Sequence, residues 1–294
     1  MRSPTQPLQY QVIPPHPLLA SHIGCYWILR TPTGQPARRE LILPDGYAEL
    51  ILNYGKSYTW HNQLQQDERV IKTVHFVGER DTSILVDLEG ELNQIGVKFK
   101  PSGLFALLRQ PLHELANQMV SPDELNTKII QELSEQVFDA KTDTAKVAVL
   151  NRFFIRHLVN IERSDHLAEQ AIQIILRSQG NLRIDDLTNI FDIHYKTLER
   201  KFKTYIGLTP KVFARVIRFK HTYKQFHTTA VQDPSFFLDL GYYDQNHFIK
   251  DFKYFLHTTP AAYLRKQRLA LPSQRELPSD EIVRRGLVER SQIN

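Results

Sequence analysis

Two stretches of the chain set long cations and carboxamides opposite an apolar stripe at helical spacing. In the first, Lys196, Thr197, Glu199, Arg200 and Lys203 fall away from Leu198, Phe202 and Ile206, which recur at i, i+4 and i+8. In the second, Gln245, Asn246, His247, Lys250 and Lys253 accompany Phe248, Phe252 and Leu256 at the same spacing. Arg and Lys pair with guanine edges and Asn and Gln with adenine edges, and one α-helix fits a major groove. The chemistry these residue types suit is the reading of duplex DNA. His247 is expected to serve structure or a phosphate instead of a base.

The elements that must position these faces repeat. Phe202 and Phe252, Lys203 and Lys253, Thr209 and Thr259, Pro210 and Pro260, and Arg215 and Arg265 are each 50 residues apart, while Leu187 pairs with Phe236 and Phe191 with Leu240 at an offset of 49. One extra residue in the second turn accounts for the change. Each copy predicts a short helix (185–191 and 234–240), a tight turn, a second helix (195–206 and 245–256) and a Thr-Pro that opens another. A long helix over 211–226, with Val212, Val216, Phe219, Tyr223 and Phe226 on one face, joins the copies. Two second helices in one chain suit successive major grooves, about 34 Å apart.

Charge follows the same division. Net charge is +5, yet residues 1–160 hold 16 Lys/Arg against 17 Asp/Glu, and residues 161–294 hold 21 against 15. From His194 to Lys224 nine cations, Lys196, Arg200, Lys201, Lys203, Lys211, Arg215, Arg218, Lys220 and Lys224, face only Glu199. A basic run of this kind predicts an acidic partner for the second half and contacts to phosphates, with Lys220 expected to position the backbone.

These residues carry a resemblance. RIDDLTNIFDIHYKTLERKFKTYIGLTPKVFARVIRFKH is similar to the first helix-turn-helix and linking helix of the AraC/XylS family of bacterial transcription regulators, and DPSFFLDLGYYDQNHFIKDFKYFLHTTPAAYLR resembles the family signature around its second. The likeness spans about 171–265. Thr188 and Phe237 stand where the family prefers a small Ala, His194 replaces its Ser cap and His257 a Gly. The resemblance implies transcription regulation through double-stranded DNA and no enzyme activity. It adds RNA polymerase, a small-molecule effector and a second copy of the chain as further partners to be tested. Activation is a mode the resemblance carries, although the residues do not fix the sign.

The first half reads as a β-rich domain. Pro44-Asp45-Gly46 between two apolar runs, and Glu89-Gly90 within TSILVDLEGELNQIGVKF, predict hairpins; LFALLRQPLHELANQMV looks helical apart from Pro111. HPLLASHIGCYWIL, LPDGYAELILNYG, FVGER and IGVKFKPSGLFALL resemble a module found ahead of such DNA-binding domains, where an N-terminal domain senses a ligand or dimerises. The fold expected is therefore α+β: a β-rich N-terminal domain over 1–142, a connecting helix over 143–164, an all-α domain of two helix-turn-helix units joined by a long helix over 165–268, and an extension over 269–294.

Enzyme classes find little purchase. Cys25 is the one cysteine, so a DNA alkyl-transfer repair protein, which needs several, is excluded, as are an internal disulfide and a cysteine zinc site. Tyr26 and Trp27 beside it are expected in the core. His16, His22, His61 and His75 lack metal-ligand spacing, and the run from His113 to Asn117 lacks a second histidine at i+4, so no catalytic residue, cofactor or metal is expected. Pro14, Pro15 and Pro17 break the stretch a signal peptide needs, and no 18 apolar residues run together, which predicts a cytoplasmic protein with no membrane partner.

Overall fold

A computed structural model describes residues 9–31, 37–62, 66–88, 90–159, 165–228 and 236–269. Its first half is built on two antiparallel sheets. One has the order β1 (Gln9–Ile13), β2 (Ile23–Arg30), β9 (Asn93–Phe99), β4 (Ala48–Asn53), β7 (His75–Val77), β10 (Met119–Val120); the other runs β3 (Arg38–Ile42), β8 (Ile84–Leu88), β5 (Tyr58–Asn62), β6 (Asp67–Ile71). Against the first sheet lie α1 (Gly103–Leu108), α2 (Lys128–Asp139) and α3 (Asp143–Leu158).

The larger sheet is the middle layer, and its composition follows from that place. A strand covered on both faces loses the apolar-polar alternation of a half-exposed one. In β2, Tyr26 and Ile28 turn to the helices, while Trp27 and Leu29 turn to the smaller sheet. Tyr26 and Trp27 are thus core residues, 0% and 6% exposed, as the sequence suggested. Tyr58, Trp60, Val86 and Leu88 fill the space between the sheets. The Trp27 ring lies on Gly96, where a Cβ would come within 1.9 Å of the indole, so only glycine fits. On the other face, Val147, Leu150, Phe154 and Leu158 of α3 join the sheet core, Tyr26 Oη donates to Asn151 Oδ1 (3.0 Å), and Arg30 grips Asp143 with two hydrogen bonds.

Both expected hairpins prove to be corners between sheets. β3 pairs with β8 in one sheet and β4 with β9 and β7 in the other, so Pro44-Asp45-Gly46 carries the chain across instead of folding it back. The segment around Gly90 does the same between β8 and β9; Glu89 lies outside the described residues. Turn chemistry fixes the local bend but not the strand that pairs next. The third expectation holds in part, with α1 helical, a single 3-10 turn over Leu112–Glu114, and β10 where a helix was expected.

The second half is helical: α4 (His166–Arg177), α5 (Ile184–Phe191), α6 (Tyr195–Tyr205), α7 (Pro210–Thr228), α8 (Phe236–Asp239), α9 (Gln245–Leu256) and α10 (Pro260–Leu269). The α+β class is as the sequence indicated. One core gathers Leu187, Leu198, Phe202 and Ile206 against α4 and α7; the other gathers Phe237, Phe248, Phe252 and Phe255 against Phe219 and Phe226 of α7. The long helix therefore serves both units, as its apolar face predicted. The extension beyond residue 269 and part of the expected 234–240 helix lie outside the described residues.

Both units lean on the first half. Phe105 meets Tyr205 of α6 (ring centroids 4.5 Å apart), and Leu41 and Leu43 pack against the second core. Gly46, with φ at +78°, lies so near α7 that a Cβ would sit 2.6 Å from Ile217 Cδ1. Glycine thus meets two demands there, the left-handed turn and the close approach.

Candidate nucleic-acid interface

Each unit places its second helix with one face inward and the other in solvent. In α6, Leu198 and Phe202 are fully buried, Lys196 is 89% exposed, and Arg200 and Lys203 are exposed. In α9, Phe248, Phe252, Phe255 and Leu256 are buried, while Gln245, Asn246, Lys250 and Lys253 are exposed. Seven of the ten residues singled out by sequence thus present themselves outward. The other three behave differently.

Thr197 is half-buried. Glu199 is held between Lys203 (3.0 Å) and Lys196 (3.5 Å), which occupies its carboxylate along the helix surface. His247 is turned inward: its Nε2 accepts from Arg218 (3.2 Å), and its ring meets Tyr242 edge-on. Burial, and then the Arg218 guanidinium, hold its pKa below the ordinary histidine value, so it is a neutral acceptor at neutral pH. Structure or a phosphate was the role expected of His247, and its contacts to Arg218 and Tyr242 are structural ones.

The nine-cation run also divides. Lys201 pairs with Asp165, which caps α4 through the amides of Leu167 and Ala168. Arg215 Nε and Arg218 donate to Asp251 (2.9 and 3.1 Å), whose side chain is 4% exposed. Lys220 Nζ donates to the Asp45 carbonyl (2.8 Å) and lies 4.7 Å from the Tyr47 ring centre, tying α7 to the first half. This corrects the expectation that Lys220 contacts the DNA backbone. Charge in a sequence gives no direction, and on α7 the side facing the first half is one of the two already taken by packing.

The repeat reappears here in a form that sequence reasoning missed. Asp165 and Lys201 are 36 residues apart, as are Arg215 and Asp251, and the second pair follows the first by 50 residues. Each ion pair fastens the second helix of a unit to the helix before that unit, with the signs exchanged. The signal was an acid at position 251, where the offset of 50 places Lys201 in the first copy.

Helix starts differ between the units as well. His194, at the start of α6, makes no side-chain cap, whereas Asp244 accepts from the His247 amide (2.7 Å) at the start of α9. Phe237, which replaces a small residue of the resembled family, is accommodated by stacking on Phe248 (6.0 Å, 4° between planes). His257 takes the left-handed conformation of the glycine it replaces (φ 54°), and its Nε2 reaches Ser83 Oγ of the first half at 2.9 Å.

Beneath Lys220 lies a buried charge cluster. Lys98 Nζ contacts Asp45 (2.5 Å) and Glu49 (3.4 Å), Trp27 Nε1 donates to Glu49 (2.9 Å), and Arg80 donates to the carbonyls of Ile42 and Leu43. Burial opposes the charge on Asp45, but Lys98 and Lys220 hold it below the usual carboxylate range. Glu79 is buried with no hydrogen-bond partner for its carboxyl, and desolvation pushes its pKa well up. The corner 44–46, expected to be a simple turn, thus anchors the contact between the halves.

Residues 187–266 match the family described as a helix-turn-helix domain, and residues 11–121 match a family described as a domain of unknown function. No curated protein sequence matches the chain. Among solved structures, ToxT from Vibrio cholerae O395 is 12% identical, with 87% of this chain and 96% of that one covered at a TM-score of 0.45. The same protein bound to (E)-4-(8-methylnaphthalen-1-yl)but-3-enoic acid is 11% identical, with coverage of 87% and 98% and a TM-score of 0.46. A putative ethanolamine utilization protein from Salmonella typhimurium LT2 is 10% identical over 31% of this chain and 68% of its own, at a TM-score of 0.24.

Proposed function

We propose that this chain, whose residues 187–266 match a helix-turn-helix family, is a transcription regulator of the AraC type that reads specific duplex sequences by placing α6 and α9 in two adjacent major grooves. The observation that carries this is the duplicated unit. Twice, a helix with a buried apolar stripe shows solvent a polar face, Lys and Arg on α6 and Gln, Asn and Lys on α9, the side chains that match base edges and phosphates. Lys196 and Arg200 suit guanine in the first groove, and Gln245, Asn246 and Lys250 suit the second. Lys203 and Lys253, a turn further on, suit phosphates.

Control from the first half is the second part of the proposal. Contacts at Lys220, His257 and Tyr205 fasten both units to that half, so a change there, by ligand or by a second copy, alters how the two recognition helices are held.

The test is selection of bound sequences from random duplexes by the full chain, followed by footprinting. Two protected segments one helical turn apart, with log K falling by about 0.9 per phosphate contact against log salt, are expected. A flat salt dependence, or protection of less than one turn, would refute the reading.

A further inference from the structure

The second unit carries a side chain that neither the core nor any ion pair uses. Tyr243 is 89% exposed, more than any other large hydrophobic among the described residues. It sits in the turn immediately before Asp244, the cap of α9. Tyr242, its neighbour, goes inward, 3% exposed, with its ring against Phe248 and its hydroxyl bonded to Thr222 (3.3 Å). Tyr243 goes out. In the first unit the residue 50 positions earlier is Ile193, which packs into the core. At this position the outward aromatic belongs to the second unit; the exposed aromatic of the first, Tyr195, opens α6 itself and is 38% exposed.

We infer that Tyr243 is a specificity-determining residue of the second unit, packing its ring on the 5-methyl group of a thymine in the major groove beside the base pair read by Gln245 and Asn246. The inference rests on the reading of α9 as a recognition helix. Charge decides between the two surfaces DNA offers the ring. The Asp244 carboxylate is next in the chain and is committed to the α9 amide, so a phosphate at this spot meets a fixed negative group, whereas a base edge does not. Composition points the same way. Carboxamides recognise adenine through N6 and N7, and the thymine partner of each adenine offers the one apolar group in the groove. A carboxamide pair next to an unpartnered aromatic ring is a surface for A·T pairs. The Lys and Arg of α6 suit G·C pairs instead, so the two half-sites differ in composition.

The experiment uses the full chain and its selected duplex. Each thymine of the α9 half-site is replaced singly by deoxyuridine, which removes only the methyl group. One position is expected to lose about fourfold in affinity, the worth of one buried methyl. Tyr243→Phe keeps that loss, because the ring remains. Tyr243→Ala abolishes it, binding the thymine and uridine duplexes equally, and its exposed position leaves the thermal unfolding of the chain unchanged. A half-site with no methyl-sensitive thymine, or a methyl effect that survives in Tyr243→Ala, overturns the inference while leaving α9 a recognition helix. If selection enriches no sequence, the function proposed above fails and this inference fails with it.

Discussion

Removing Asp251 tests the link between packing and recognition most directly. Its carboxylate is 4% exposed and accepts from Arg215 and Arg218, whose side chains are 33% and 16% exposed. Deleting one partner of a buried ion pair costs about 3–5 kcal/mol, because the remaining charge has lost its counterpart. One feature places Asp251→Ala near the low end. Arg215 is one-third exposed and stacks 4.0 Å above the Tyr254 ring, so it can turn to water. Arg218, in contrast, stays beneath Tyr242 and already has an Nε without a partner. A loss of about 3 kcal/mol corresponds to roughly 12–24 °C in the melting temperature of a helical half of about 100 residues. Footprints on the selected duplex should fade over the α9 half-site before the α6 half-site, since Asp251 holds α9 against α7. The first unit supplies the control. Combining Asp251→Lys with Arg215→Asp reproduces the polarity of the Asp165–Lys201 pair and should be more stable than Asp251→Lys alone, although Arg218 still lacks its acid. A melting temperature within 2 °C of wild type for Asp251→Ala, or a combined variant no better than Asp251→Lys alone, would refute the argument.

Three further outcomes follow from the same contacts. Lys220→Ala should lower stability by about 2 kcal/mol, through the lost charged hydrogen bond and ring contact, and leave the salt dependence of DNA binding unchanged; a slope shallower by about 0.9 would return Lys220 to the phosphates. Arg200→Ala, at an exposed position on α6, should relax sequence preference at one or two positions worth about 1–3 kcal/mol each, read by competition with mutated duplexes; uniform loss across all sequences would make Arg200 a backbone contact. His75 accepts from the Tyr58 hydroxyl (2.7 Å) and donates Nδ1–H to the Thr73 carbonyl (3.0 Å), and burial lowers its pKa to about 4. The unfolded chain therefore binds the extra proton first as pH falls, so stability should drop by roughly 3 kcal/mol from pH 6.5 to pH 4 in denaturant titrations and stay level through this group above pH 7. A His75→Gln variant with the same pH profile would remove His75 as the cause.

The helical half was legible because its information is local. Apolar spacing at i, i+4 and i+8, the offset of 50 and the Thr-Pro starts are properties of single helices and their repetition, so α5, α6, α7 and α9 fall within a residue or two of expectation. The outward faces at Lys196, Arg200, Gln245 and Lys250 followed, because a buried stripe on a helix fixes the opposite side. The two corners at Pro44-Asp45-Gly46 and Gly90 were not legible. A strand's partner is set by distant segments, and the same turn residues serve a hairpin and a crossing between sheets.

Sequence by itself thus determined the class of the second half, its repeat, its cation and carboxamide faces, and the core role of Tyr26 and Trp27. Tertiary structure alone decided which charges are available to a partner. Lys201, Arg215, Arg218 and Lys220 look like Lys196 and Arg200 in the sequence, yet they are consumed by Asp165, Asp251 and the Asp45 carbonyl. The reason is physical. A cation's surroundings depend on which acid or carbonyl the fold brings within about 3 Å, and those groups lie 33–175 residues away along the chain.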